Sequence, residues 1–73
     1  MPHYDVKSEI TGSVWKIIKG VGDKVSEGDT LMIFESMKME IPLFAEENGV
    51  IVEVRVIEGS TVADGDIVAV IES

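Results

Sequence analysis

One lysine is set apart by its neighbours. Lys38 lies in Glu35-Ser36-Met37-Lys38-Met39-Glu40-Ile41-Pro42, with an apolar methionine on each side. A lysine amine is a nucleophile only when it has lost its proton. A free lysine, with a pKa of about 10.4, is in that form on the order of one time in a thousand at pH 7. The chain has no cysteine and a single histidine, His3, at its far end. No nucleophile and base lie side by side in the sequence, so nothing here marks the chain as a catalyst, and Lys38 is the residue with chemistry to offer. Lysine also supplies a long flexible stem that extends the reach of whatever is attached. Acylation would remove one positive charge, taking the formal total of −8 to −9. Met37 and Met39 flank a turn, so both cannot easily point inward, and exposed adaptable thioethers suit entry into a partner's groove.

Other residues that could do chemistry read as structure. His3 sits near a terminus, where mobility is the default. Trp15 reads as core. Gly20-Val21-Gly22 begins like a phosphate loop, but Val25 takes the third glycine's place and no helix follows. Asp23, Asp29, Asp64 and Asp66 lack a calcium loop's spacing and read as turn residues. Glu35, Ser36 and Glu40 read as solvated or facing whatever partner meets Lys38. No pocket-forming stretch makes a catalytic pair of the two carboxylates.

The elements that must position Lys38 emerge from a repeat. Gly12 to Ser36 aligns without a gap on Gly49 to Ser73, at a spacing of 37 residues. Seven of the 25 aligned positions are identical, from Gly12 with Gly49 to Ser36 with Ser73. Two copies are too few for a solenoid, so the halves are expected to pack face to face. Val14 to Ile18 and Val50 to Val56 are rich in β-branched residues, and alternation puts Trp15 and Ile17 inward beside Val52 and Val54. Leu31 to Phe34 and Ile67 to Ile71 are short apolar runs and read as buried strands. Glycine pairs with a polar residue at Gly22-Asp23, Gly28-Asp29, Gly59-Ser60 and Gly65-Asp66, where turns are expected. Asn48-Gly49 predicts a hairpin between the run ending at Phe44 and that starting at Val50. Pro42 predicts an edge strand. No stretch carries a helical stripe, so the fold class is all-β, with Lys38 at or near the tip of a hairpin spanning residues 35–42.

Bulk properties bound the remaining choices. With 73 residues, 45% of them hydrophobic, the chain reads as one small globular domain, residues 1–73. Its acidic balance opposes binding to nucleic acid or anionic membranes and favours a monomer. No apolar run reaches the roughly 18 residues of a membrane span, and residues 1–5 do not look like a signal peptide. A cytoplasmic location is the expectation.

On these residues the chain resembles the biotinyl domains of biotin-dependent carboxylases. Small stand-alone biotin/lipoyl attachment proteins are similar from about Ser8 to Glu72. The similarity includes Gly12-x-Val14-Trp15, the turns at Gly22-Asp23-x-Val25 and Gly28-Asp29, Gly49-x-Ile51, and Met-Lys-Met at the tip. Thr11 departs from the proline often found before the glycine. The first half also has no insertion like the protruding thumb of some acetyl-CoA carboxylase carriers. The resemblance implies a barrel-sandwich hybrid, a flattened β-barrel of two four-stranded antiparallel sheets with pseudo-two-fold symmetry. It also implies that a biotin protein ligase joins biotin to Lys38 as an amide, with Met37 and Met39 recognised by the ligase. Glu35, Ser36 and Glu40 would be further ligase contacts. Biotin carboxylase and carboxyltransferase would be partners of a non-catalytic carboxyl carrier, which could instead serve a biotin-dependent decarboxylase. Two other readings share the architecture. One is a lipoyl carrier of an oxidative decarboxylation or glycine-cleavage type complex, whose sites usually resemble Asp-Lys-Ala. The other is an unmodified adaptor, in which Lys38 is only a surface lysine.

Overall fold

The computed structural model describes residues 2–73. Its strands are β1 (His3–Lys7), β2 (Gly12–Ile17), β3 (Lys24–Val25), β4 (Thr30–Ser36), β5 (Met39–Phe44), β6 (Gly49–Val54), β7 (Thr61–Val62) and β8 (Ile67–Glu72). They form two four-stranded antiparallel sheets, ordered β5-β4-β2-β7 and β1-β8-β6-β3. This is the all-β barrel-sandwich expected. The apolar runs of β4 and β8 lie inside both sheets, and Leu31, Phe34, Val68 and Ile71 are almost wholly buried with Val14 and Ile51. Pro42 lies on β5, an edge strand, where its missing N–H removes no bond that the sheet needs.

The 37-residue spacing extends beyond the segments in which it is visible by sequence. It maps β2 onto β6, β3 onto β7 and β4 onto β8, and it maps β1 onto β5. The two sheets are therefore the same four-strand pattern used twice. Residues 2–36 correspond at this spacing to residues 39–73, and the two residues left between them are Met37 and Lys38. At the place equivalent to that junction the Ser73 N–H donates to the Pro2 carbonyl at 3.0 Å. The chain would close into a ring there, and His3, paired with Glu72 at 3.0 Å, sits in a strand beside it. That corrects the expectation of a mobile terminus: antiparallel pairing with β8 ties β1 down.

Four turns repeat one piece of chemistry. Each has glycine third, with φ of 93° at Gly22, 91° at Gly28, 92° at Gly59 and 94° at Gly65. A side chain without a Cβ is what a type II turn needs there. In each, the fourth residue's side chain accepts the first residue's N–H: Asp23 from Gly20, Asp29 from Ser26, Ser60 from Ile57 and Asp66 from Ala63. The turn reading of Asp23, Asp29 and Asp66 therefore holds, and the false start of a phosphate loop is the first of these turns.

Two further expectations are overturned. Trp15 is not core but 47% exposed, and Val52 at the equivalent place is exposed as well. The cause is a β-bulge in each half. Val14 pairs with Phe34 and Lys16 with Ile33, leaving Trp15 as the extra residue, and the register of β6 shifts likewise between Ile51 and Glu53. One added residue inverts the alternation, so the inward positions are Val14 and Ile17, and Ile51 and Val54. Asn48-Gly49 is also not a hairpin. The strands on either side, β5 and β6, belong to different sheets. Asn48 instead accepts the Glu27 N–H at 2.8 Å. Gly49 is needed because a Cβ there would run into the Glu72 carbonyl and the Ile71 side chain.

Candidate functional site

Lys38 stands at the end of the β4–β5 hairpin, and the ladder beneath it is complete. Phe34 faces Ile41, Glu35 faces Glu40, and Ser36 faces Met39, leaving Met37 and Lys38 as a two-residue loop. Phe34 is buried and Ile41 half-buried, so the hairpin is anchored in the core just below its exposed end. Two further contacts fix it to the start of β2. The Ser36 hydroxyl donates to the Thr11 carbonyl at 3.0 Å. Gly12 lies so close to the Glu35 carbonyl that no Cβ would fit between them. Thr11 in turn accepts the Asp64 N–H through its hydroxyl at 3.3 Å, which joins the hairpin base to the turn before β8.

The tip itself is strained. Met37 has φ of 52° and Lys38 of 62°, and they are the non-glycine residues with positive φ among those described. Positive φ at both central positions is the type I′ pattern, whose twist suits a two-residue hairpin and which normally selects Asn-Gly. A side chain in the left-handed region costs about 1–2 kcal/mol per residue. A local rule broken twice at one exposed turn points to a use for those side chains. Met37→Gly is expected to raise stability by about 0.5–1 kcal/mol by relieving that strain. Urea unfolding of the two proteins measures it, and an unchanged or lower midpoint would show that the turn carries no strain.

The side chains gathered here are few. Met37 is 91% exposed and Met39 64%, with Lys38, Glu35 and Glu40 also exposed. Glu35 and Glu40 lie directly opposite each other on the ladder. Among the described residues no group of histidine, cysteine and carboxylate side chains could hold a metal ion. His3 lies at the chain ends, held by Glu72. The loop after β2 returns to Ile51, beside those ends, so they sit at the end of the barrel away from the tip. All six residues singled out by sequence thus come together on one hairpin. Ser36 is turned to a structural bond, while the other five face solvent. Thr11 and Gly12, which hold the hairpin base, escaped the sequence reading as site residues, although the repeat of Gly12 at Gly49 was a signal for close packing.

An all-β barrel that offers an exposed lysine on a strained two-residue turn at the end of an anchored hairpin defines a lysine-presenting fold. A family described as biotin-requiring enzyme, the biotin/lipoyl family, matches residues 5–71, and the chain belongs to it. It is 43% identical over 67 residues to a biotinylated protein TB7.3 homolog of Mycobacterium leprae, covering 92% of this chain and 94% of that one. To a biotin/lipoyl attachment protein of Bacillus subtilis it is 40% identical over 62 residues, covering 85% of each. Among solved structures it resembles part of the Kluyveromyces lactis urea carboxylase, with a TM-score of 0.92 and 38% identity. That likeness covers 99% of this chain and 6% of the urea carboxylase.

Proposed function

We propose that the chain is a biotin carboxyl carrier, with biotin joined to Lys38 and carboxyl groups carried on it from a biotin carboxylase to a carboxyltransferase. A biotin protein ligase activates the biotin carboxyl group with ATP as an acyl phosphate ester. The Lys38 amine attacks the acyl carbon, the C–O bond breaks and the carboxyl oxygen leaves with the phosphate. The ammonium has then lost two protons to become the uncharged amide N–H. The chain contributes presentation rather than catalysis. The observation that carries this reading is the tip: two side chains held in left-handed conformations so that Lys38, between two exposed methionines, projects from a rigid base. Family membership and the named relatives support attachment chemistry, and the likeness to part of a urea carboxylase supports carboxyl transfer.

Biotin is favoured over lipoate by the methionines. A backbone turn presents an amine to either ligase equally well, so discrimination falls to the side chains beside it, and an added charge can repel one partner. Purified biotin and lipoate ligases competing for the chain are expected to place biotin, once, on Lys38, as read by intact mass and peptide mapping. Met37→Asp combined with Met39→Ala is expected to lower biotinylation at least tenfold with an unchanged circular dichroism spectrum. Lipoylation of the unaltered chain, or biotin on Lys19 or Lys24, would overturn the assignment. Undiminished biotinylation of the double variant would remove the methionines from ligase recognition.

A further inference from the structure

The two sheets share one backbone pattern and present different outer surfaces. Positions of β1 that hold Asp5 and Lys7 correspond to Pro42 and Phe44 on β5, and the bulge residue Val52 corresponds to Trp15. Beside Val52 the outer surface carries the Arg55–Glu53 ion pair at 2.7 Å. On the lysine-bearing sheet, Pro42 pairs with Ile33 and Ile33 with Lys16, next to Trp15. Trp15 is 47% exposed and Phe44 51%, although the other sheet carries Lys7 in the place of Phe44 and the smaller Val52 in that of Trp15, so this backbone folds without a large apolar residue at either. Large apolar side chains kept outside where the fold does not require them mark an interaction surface. A bulge that turns a tryptophan outward has the same character.

This face is continuous with the modification site. One ladder step of two residues separates Phe44 from Pro42, Pro42 from Glu40, and Glu40 from Lys38. At about 3.3 Å per residue the face runs about 20 Å from Phe44 to the tip. Near the tip it carries Glu35 and Glu40 directly opposite each other, an arrangement that is unfavourable without a cation close by. Lys38 is the cation nearest in sequence, and acylation removes its charge. The loaded form is therefore the form whose acidic end calls for a basic partner. An enzyme that uses ATP and bicarbonate, both anions, carries positive potential at its mouth to gather them.

On the proposed carrier function, we infer that the outer face of β5, β4 and β2 docks on the ATP- and bicarbonate-using enzyme that carboxylates the loaded arm. Trp15 and Phe44 are the apolar anchors, and Glu35 and Glu40 meet basic side chains of that enzyme. Aromatic anchors of this kind carry a large share of binding energy.

The test uses loaded carrier, verified by mass, as the varied substrate of the purified biotin carboxylase that accepts the unaltered loaded carrier with the lowest KM. Trp15→Ser combined with Phe44→Ser is expected to raise that KM at least tenfold and to leave kcat within about twofold. Lys7→Ser combined with Arg55→Ser, on the other sheet, is expected to leave both unchanged. In spectra of 15N-labelled carrier, the Trp15 indole and Phe44 amide signals are expected to shift on addition of the enzyme. An unchanged KM for the Trp15 and Phe44 variant, or an equal rise for the Lys7 and Arg55 variant, overturns the proposal while the carrier function stands. Dimerisation of the loaded carrier that the Trp15 and Phe44 variant abolishes would assign the face to a second copy and also overturn it. Failure of every biotin carboxylase to accept the unaltered loaded carrier would instead sink the carrier function itself.

Discussion

Lys38→Arg is expected to abolish biotinylation completely while leaving the fold as it is. Arginine keeps the positive charge and the same Cβ, so the left-handed position it inherits is no more strained than before. It lacks the acylable primary amine, and its guanidinium does not give up a proton at accessible pH. Because Lys38 is exposed at the end of a hairpin that is anchored below it, the change should move stability by no more than about 0.5 kcal/mol. For a domain of this size that is about 2–4 °C in the thermal midpoint. Intact mass after incubation with ligase, ATP and biotin reads the first effect, and thermal circular dichroism the second. Residual labelling would place the attachment on another lysine. A midpoint lowered by 10 °C or so would make Lys38 a structural residue and favour the unmodified adaptor.

Much of this arrangement was legible in the residues, for reasons that can be named. The glycine of each turn, with the aspartate or serine that follows it, recurs at one spacing because every copy solves the same problem, a positive φ followed by a side chain that closes the turn. Those recurrences set the halves in phase and left Lys38 between them. The type I′ geometry at the tip was hidden, because neither methionine nor lysine is a residue that the turn prefers. Trp15 was misread because a bulge has no residue signature. Strict alternation assigns it inward, and only the pairing of Val14 with Phe34 and Lys16 with Ile33 reveals the extra residue.

Asn48-Gly49 misled for a different reason. The doublet carries the composition of a tight hairpin, yet each residue serves another end, Asn48 as an acceptor for Glu27 and Gly49 as room for the Glu72 backbone. The first strand was missed because β1 and β5 have little sequence in common. Tyr4 and Val6 match Ile41 and Leu43 only as inward apolar positions, with different residues between them. Pseudo-symmetry of the backbone is thus stricter than the symmetry of the residues. Where the residues depart from it most, on the outer faces of the sheets, one face carries Trp15 and Phe44 where the other carries Val52 and Lys7. A fold stable with either surface leaves that difference available for recognition.

Phe34→Ala is expected to have the opposite profile to Lys38→Arg, weakening the fold and with it the labelling. Phe34 is the largest of the fully buried side chains, on the inner face of β4 one residue before Glu35. Truncating a buried phenylalanine costs about 3–5 kcal/mol, through lost burial and the cavity left behind. A chain of 73 residues has a total stability of about 4–11 kcal/mol. No disulfide offsets the loss, since the chain has no cysteine. The thermal midpoint should fall by at least about 12 °C. The damage also falls at the site, because Phe34 and its partner Ile41 are the inward pair next to the Glu35–Glu40 step. Once they let go, nothing holds Met37 and Lys38 in their left-handed conformations, and the ligase meets a disordered segment. Labelling measured against temperature should therefore follow the folded fraction of the variant, recovering in the cold as the fold recovers. Full-rate labelling of the unfolded variant would show that the ligase reads the Met-Lys-Met segment alone, and that the barrel serves later steps only.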